Sequence, residues 1–264
     1  MARFERGGVG LWYSVEGDGP PVVVHAGARG DSGIYVHAGY VDALLAAGYR
    51  VVRFDHRGHG QSGKPLRRAD HRTVEYVADL VGLLDELDLE SAALIGFSQG
   101  MHISIATAAL HPDRVAGVVG LGAFGAAGDP TDWRTAGAAL ARSAGSAAAV
   151  QAMAEQEAEP LPAWMVESLT ATDPEVFALL LEAGLEDERV LWDFFADVRA
   201  PTLLVVGGLE DRGDADINVA RAAEAIGDAE TLVVPGLAHL GVFWRSDLSL
   251  PSVLRFLRER YPTV

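Results

Sequence analysis

The stretch Ala92-Ala93-Leu94-Ile95-Gly96-Phe97-Ser98-Gln99-Gly100 decides how the rest of this chain is interpreted. Its first four residues form a short apolar run typical of a buried strand, and residues 101–110 have the composition of a helix. Between them, Gly96-x-Ser98-x-Gly100 predicts a turn so tight that small residues are needed on both sides of the serine. Such a turn exposes the Ser98 hydroxyl at a helix N-terminus, where developing negative charge is favoured. Ser98 is therefore a candidate nucleophile rather than an ordinary turn serine.

Composition limits the classes of protein that need to be considered. The 264 residues are 49% hydrophobic, which is enough for one large core, and the formal net charge of −16 argues against binding to nucleic acid or to an anionic membrane surface. The chain has no cysteine, which excludes disulfides, thiolate catalysis and cysteine-bound zinc. We find neither a signal-peptide pattern nor an apolar run of membrane-spanning length, and we expect a cytoplasmic protein.

Strand-like and helix-like segments alternate along most of the chain, which predicts an α/β fold with a mostly parallel sheet between helices. The predicted helices span residues 34–47, 73–87, 101–110, 215–226 and 248–260. The predicted strands span residues 9–16, 21–24, 51–54, 92–95, 115–121, 202–206 and 230–234.

The alternation is interrupted between residues 124 and 199, where alanine- and glutamate-rich segments carry scattered aromatic residues and no convincing strand. We interpret residues 124–199 as a helical lid inserted before the strand at 202–206. Residues 1–123 and 200–264 then form the core. Most of the lid aromatics are expected to pack between helices, but as a group they would line the cavity that the lid covers.

Residues that directly follow the strands are the best candidates for chemistry, because ligands of open parallel sheets bind at the carboxyl ends of the strands. Ser98 follows one strand, Asp211 follows the strand at 202–206, and His239 follows the strand at 230–234. The order serine, acid, histidine is the one expected for this type of turn. Glu210 and, less well placed, Asp214 are alternatives for the acid.

Taken together, these motifs resemble those of the α/β-hydrolase fold family, specifically its small, lid-bearing esterase and lactonase-like members. The resemblance covers nearly the whole chain. It includes His25-Ala26-Gly27, which is similar to the oxyanion loop of the family, and Asp55-x-Arg57-Gly58-x-Gly60-x-Ser62 after the next strand. Position in the family acid loop favours Asp211 over Glu210. Two residues depart from the pattern: Ala26 replaces a glycine, and Met101 stands where a small residue is common.

The resemblance implies cleavage of a carboxylic ester or lactone through a covalent acyl-serine, with His239 as the base and Asp211 orienting its imidazole. The backbone N–H groups of Gln99 and Gly27 are expected to hold the oxyanion, with Ala28 as the alternative to Gly27. Candidate substrate-binding residues are Ala28, Arg29, Trp133 and Trp164.

Other functions remain open at this stage. The same triad could perform perhydrolysis, carbon–carbon bond hydrolysis or acyl transfer, and a ligand receptor of this fold could retain the triad with incidental turnover. Gly120-x-Gly122-x-x-Gly125 formally fits a dinucleotide fingerprint, but it leads into the predicted lid instead of a crossover helix. We expect no cofactor and no metal, a small-molecule substrate, and a monomer or homodimer.

Overall fold

The computed structural model describes residues 2–122, 131–210 and 214–263, with the side chains of residues 131–133 left out. Eight strands form one sheet in the order β1-β2-β4-β3-β5-β6-β7-β8. β1 and β2 pair antiparallel, as do β2 and β4, and every other neighbouring pair is parallel. The strands are β1 (Ala2–Arg6), β2 (Val9–Glu16), β3 (Pro21–His25), β4 (Arg50–Phe54), β5 (Ala92–Phe97), β6 (Val115–Leu121), β7 (Thr202–Gly207) and β8 (Ala229–Val234).

Helices connect the strands and cover both faces of the sheet. In chain order they are α1 (Ile34–His37), α2 (Tyr40–Ala46), α3 (Thr73–Glu86), α4 (Gln99–Leu110), α5 (Thr131–Ala154), α6 (Ala163–Thr170), α7 (Pro174–Ala183), α8 (Ala215–Ile226), α9 (Gly241–Trp244) and α10 (Ser246–Arg260). These connections place the carboxyl ends of β3 to β8, and the loops that follow them, along one edge of the sheet.

Two apolar clusters lie on opposite faces of the sheet, because successive side chains of a strand point in opposite directions. In β3, Val23 belongs to one cluster, while Val22 and Val24 belong to the other. The first cluster also contains residues of α3, α4 and α8, and the second contains residues of α2 and α10. Burial on both faces explains why the central strands are continuous apolar runs rather than alternating ones.

The predicted α/β class and mostly parallel sheet are confirmed, with three local differences. β1 was not predicted, since Ala2–Arg6 is short, carries three charges and lies at the exposed sheet edge. The predicted helix over 34–47 is divided into α1 and α2, because Gly39 adopts a left-handed conformation with φ of 78°. The short helix α9, directly after His239, was also not predicted.

Helices α5, α6 and α7 lie between β6 and β7, and residues 131–201 contain no strand. α5 contains a kink at Gly145, whose φ is 79°. Alanine and leucine side chains of α7 belong to the same apolar cluster as α3 and α4, so this helical segment packs against the core. Whether it serves as a lid stays a prediction. Across the described residues, none of the helices has both the length and the apolar character required to cross a bilayer.

Candidate active site

Ser98 occupies a strained turn between β5 and α4. Its backbone has φ of 54° and ψ of −116°, and it is one of two non-glycine residues with positive φ among the described residues. Such a conformation is costly and typically occurs where neighbouring structure imposes it for function. Here the Ser98 N–H donates to the carbonyl of Leu121 on the adjacent strand at 2.7 Å. The turn therefore holds the Ser98 side chain at the carboxyl end of the sheet.

The two glycines of the turn are required by close backbone packing. A Cβ added to Gly96 would lie 2.2 Å from the carbonyl carbon and oxygen of Gly100, and a Cβ on Gly100 would lie 2.6 Å from the carbonyl oxygen of His25. Neither clash involves a flexible side chain, so the strand, the turn and the loop after β3 would have to move together. This explains the Gly-x-Ser-x-Gly pattern physically.

We predict that Gly96→Ala destabilises the fold by about 3 kcal/mol, because overpacking against rigid backbone has no inexpensive relaxation. Gly117→Ala on β6 is the matched control, since the Cβ that it adds would lie 3.6 Å from the carbonyl oxygen of Pro201, an ordinary van der Waals contact. The control should change the free energy of unfolding by less than about 1 kcal/mol. Urea unfolding followed by circular dichroism measures both. Equal midpoints for the two variants would contradict this account of the turn.

His239 connects Ser98 to an acidic residue. Its Nε2 lies 2.9 Å from the Ser98 Oγ, and its Nδ1 lies 2.8 Å from Oε2 of Glu210. The carboxylate that reaches Nδ1 belongs to Glu210, the alternative weighed from the sequence, and the preference for Asp211 as the acid stays a prediction. Asp211 itself lies outside the described residues.

The loop after β7 fixes the Glu210 carboxylate. The N–H of Gly207 donates to Oε1 of Glu210 at 2.6 Å, and the N–H of Leu209 donates to the carbonyl of Leu237 at 2.9 Å. The Glu210 side chain is 1% exposed, whereas the His239 side chain is 33% exposed. The acid is therefore buried behind the imidazole, and the imidazole itself is accessible from outside.

These contacts assign the protons. An ionised carboxylate only accepts hydrogen bonds, so Nδ1–H of His239 donates to Glu210 and Nε2 is left with a lone pair. The Ser98 hydroxyl then donates to Nε2. This is the arrangement in which an imidazole can take the proton of a serine during nucleophilic attack. The ring of Phe97 stacks on the His239 ring with centroids 5.2 Å apart and further limits its orientation.

The loop after β3 lies against the nucleophile. A Cβ on Gly27 would be 3.0 Å from the Ser98 Cβ and 3.5 Å from its Oγ, so the close approach depends on the absence of a side chain. The carbonyl of Ala28 accepts a hydrogen bond from Nε2 of His59 at 2.9 Å, which anchors the next residue of the loop. Gln99 is the first residue of α4, where backbone N–H groups have no partner within the helix.

Buried side chains that contact one another support the loop after β3. His25 contacts His56 through Nδ1 at 2.9 Å and Ser104 of α4 through Nε2 at 2.8 Å. Burial lowers the pKa of His25 to about 3 and lowers the pKa of His56 well below its usual value. Both imidazoles are therefore neutral at physiological pH, and His25 braces the loop through neutral hydrogen bonds.

Side chains of the polar turn after β4 bond to neighbouring segments of the core. Asp55 accepts hydrogen bonds from the N–H and the hydroxyl of Ser32 and from the N–H of Gln61, at 2.7 to 2.9 Å. The buried guanidinium of Arg57 forms a bidentate pair with Asp79 on α3, with both N–O distances 2.6 Å. The turn thus ties the loop after β3 to α3.

The glycines of the formal dinucleotide fingerprint have different roles here. A Cβ on Gly120 would lie 2.4 Å from Cγ of Met101, so this glycine makes room for the large residue that departs from the family pattern. Gly122 has φ of 98°, and a Cβ there would lie 2.9 Å from Cε1 of His239. Gly125 lies outside the described residues.

The predicted substrate-binding residues are placed in different surroundings. Arg29 is buried with its guanidinium carbon 3.7 Å from the centroid of the Phe177 ring on α7. Trp164 on α6 stacks on His37 with ring centroids 5.4 Å apart. Trp133 belongs to α5, but its side chain lies outside the described part of the structure. Substrate contacts of all these residues, and of Ala28, stay predictions.

One supporting residue was missed from the sequence. The carboxylate of Glu157, which follows α5, accepts hydrogen bonds from the N–H groups of Leu240 and Gly241 at 2.8 and 2.9 Å. These N–H groups begin the short helix directly after His239, so Glu157 fixes that loop from the helical segment. No local signal in the sequence indicates a contact between positions more than eighty residues apart.

Comparison with known proteins gives partial matches in sequence and nearly complete ones in structure. Epoxide hydrolase B of Mycobacterium tuberculosis is 46% identical over 81 residues, which is 31% of this chain and 23% of that protein. The chain therefore matches less than a quarter of the length of this relative. The enol-lactonase from Burkholderia xenovorans LB400 superimposes with a TM-score of 0.82 at 24% identity, over 97% of this chain and 99% of the other.

A thermophilic esterase from Thermogutta terrifontis gives a TM-score of 0.82 at 20% identity, over 99% of this chain and all of the esterase chain. At these identities, the likeness to the two solved structures establishes the fold. The sequence model for the alpha/beta hydrolase fold matches residues 20–246, which include β3 to β8 and every residue of the hydrogen-bonded set around Ser98. The protein therefore belongs to the alpha/beta hydrolase fold family.

Proposed function

We propose that the protein is a serine hydrolase that cleaves a carboxylic ester or lactone through a covalent acyl-serine intermediate. The observation that carries the proposal is the continuous hydrogen-bonded series from Ser98 Oγ through His239 to Glu210. The enol-lactonase and the esterase with the same fold are compatible with this chemistry.

In the first half of the reaction, the Ser98 Oγ adds to the substrate carbonyl while its proton passes to Nε2 of His239. The negative charge that develops on the carbonyl oxygen is stabilised by the backbone N–H groups of Gln99 and Gly27. When the tetrahedral intermediate collapses, the alkoxide leaves with the proton from His239. The ester of Ser98 remains, and Glu210 stabilises the imidazolium during the transfer.

In the second half, His239 takes a proton from water, and the resulting hydroxide adds to the acyl carbonyl. Collapse releases the carboxylic acid and returns the proton to Ser98 Oγ. The His239 side chain is 33% exposed, which allows water to reach Nε2 once the alcohol has left. Perhydrolysis or acyl transfer would differ only in the molecule that replaces water in this step.

Epoxide hydrolysis is the alternative that the sequence relative raises. Attack of a serine oxygen on an epoxide carbon would form an ether, which has no carbonyl to which water can add. A turnover cycle would instead need a carboxylate nucleophile, whose ester water can hydrolyse. Because the residue at the turn is Ser98, we favour acyl transfer over epoxide opening.

The test is the fate of the water oxygen during hydrolysis of para-nitrophenyl butyrate. In water enriched in heavy oxygen, the proposal expects the label in butyrate and not in the phenol, together with a burst of about one phenolate per protein if deacylation is slow. Styrene oxide, offered under the same conditions, should give no diol. Diol formation without ester cleavage would overturn the proposal, and stoichiometric binding with less than one turnover would indicate a receptor.

A further inference from the structure

Among the described residues, Arg29 is a buried cation without an anionic partner. Arg29 is 3% exposed, and its Nε, Nη1 and Nη2 have no hydrogen-bond partner among the described residues. Burial of an unpaired charge is strongly unfavourable, and the cation–π contact with Phe177 offsets only part of that cost. The arrangement is therefore incomplete without an anion.

Arg57 shows how the same chain satisfies a buried guanidinium. That side chain forms two hydrogen bonds with the carboxylate of Asp79 and a third with the carbonyl of Asp70. Burial lowers the pKa of Arg29 to about 10, so its guanidinium is also charged at neutral pH. The two arginines differ in their partners: the described residues supply a carboxylate for Arg57 and none for Arg29.

The position of Arg29 relative to the nucleophile is fixed by its own loop. Gly27 lies against Ser98, and two residues span at most about 7 Å between Cα atoms. On the other side, the N–H of Gly30 donates to the hydroxyl of Thr172 at 2.9 Å, which ties the loop to the segment before α7. Arg29 is thus held between the oxyanion loop and α7, within a side chain's reach of the reacting groups.

We propose that Arg29 binds a carboxylate of the substrate, so that the substrate is an ester or lactone with a free carboxylate on its acyl portion. This inference rests on the proposed function. Phe177 covers one face of the guanidinium, and Nε, Nη1 and Nη2 are buried without a hydrogen-bond partner among the described residues. The planar N–H groups of a guanidinium suit the two oxygens of a carboxylate. A singly charged group is favoured over a phosphate dianion, because one guanidinium balances one charge in a protein with a net charge of −16.

The test compares half-esters with neutral esters of similar length: para-nitrophenyl hydrogen glutarate, adipate and pimelate against the hexanoate, heptanoate and octanoate. In the wild type, at least one half-ester should exceed its neutral counterpart in kcat/KM by about tenfold. Arg29→Met should lower kcat/KM for that half-ester by about 10–100-fold and for the neutral ester by less than about threefold. Arg29→Lys should fall between the wild type and Arg29→Met.

Arg258→Met on the exposed side of α10 is the matched control for loss of one positive charge, and it should leave both substrate classes unchanged. A wild-type measurement covers the case in which Arg29→Met does not fold: glutarate, which carries a second carboxylate, should bind more tightly than pentanoate by calorimetry. Lack of any half-ester preference, or equal losses on both substrate classes in Arg29→Met, would overturn the inference. If neutral esters are not cleaved at all, the proposed function fails, while the glutarate comparison still tests Arg29.

Discussion

Ser98→Ala is expected to lower kcat for para-nitrophenyl butyrate by about 10⁴–10⁶-fold. The variant lacks the oxygen that lies 2.9 Å from Nε2 of His239, and with it the group that would carry the acyl chain. Removal of a serine nucleophile from a comparable triad costs about 10⁶-fold, and the residual rate comes from oxyanion stabilisation and binding. The melting temperature should stay close to that of the wild type, because the hydroxyl is replaced without a change in the turn backbone.

Ser143→Ala provides the control for this variant. Ser143 lies on α5 at the exposed surface, where its hydroxyl bonds only to carbonyls of its own helix. Steady-state kinetics should give wild-type kcat for Ser143→Ala. The assignment of Ser98 as nucleophile would be contradicted by a folded Ser98→Ala variant that keeps more than a tenth of the wild-type rate.

Glu210→Gln should lower kcat by about 10²–10⁴-fold, the second-largest effect that we expect. The glutamine carbonyl can still accept from the N–H of Gly207, which leaves the amide NH₂ facing Nδ1 of His239. A donor at that position requires a lone pair on Nδ1 and moves the proton to Nε2. The imidazole can then no longer accept the Ser98 proton, and this tautomer effect costs about 10⁴-fold in a comparable triad.

Asp211→Asn is the matched variant, one residue along the same loop. We expect less than about fivefold loss of kcat, because the Nδ1 position is already occupied by Glu210. Both variants are measured with the same ester over the same range of pH. The reverse result, with a large loss in Asp211→Asn and a small one in Glu210→Gln, would restore Asp211 as the acid.

The sequence predicted the parts of the site that depend on local backbone chemistry. Gly96-x-Ser98-x-Gly100 implies its turn because added Cβ atoms would meet backbone, and this holds irrespective of the remaining structure. His239 could be found because it lies in the loop that follows β8, a strand that pairs within the same sheet. The central strands could also be predicted from the sequence, because burial on both faces requires continuous apolar residues.

Features that depend on side-chain reach were not predictable in this way. Glu210 and Asp211 are adjacent acids in one loop, and only the path of the chain after β7 determines which of them faces the imidazole. The contact of Arg29 with Phe177 joins a loop of the core to a helix almost 150 positions later, and neither residue carries a local signal for it. Met101 deviated from the family pattern without consequence, because Gly120 on the next strand provides its space.

The most direct measurement is the site and rate of reaction with a fluorophosphonate, followed by mass spectrometry of the intact protein and of its peptides. We predict one adduct per chain, located on Ser98, and a rate at least about 10³-fold lower in His239→Ala because the serine then has no base. An unlabelled Ser98 in a preparation that hydrolyses esters, or labelling of Ser98 at an unchanged rate in His239→Ala, would contradict the account.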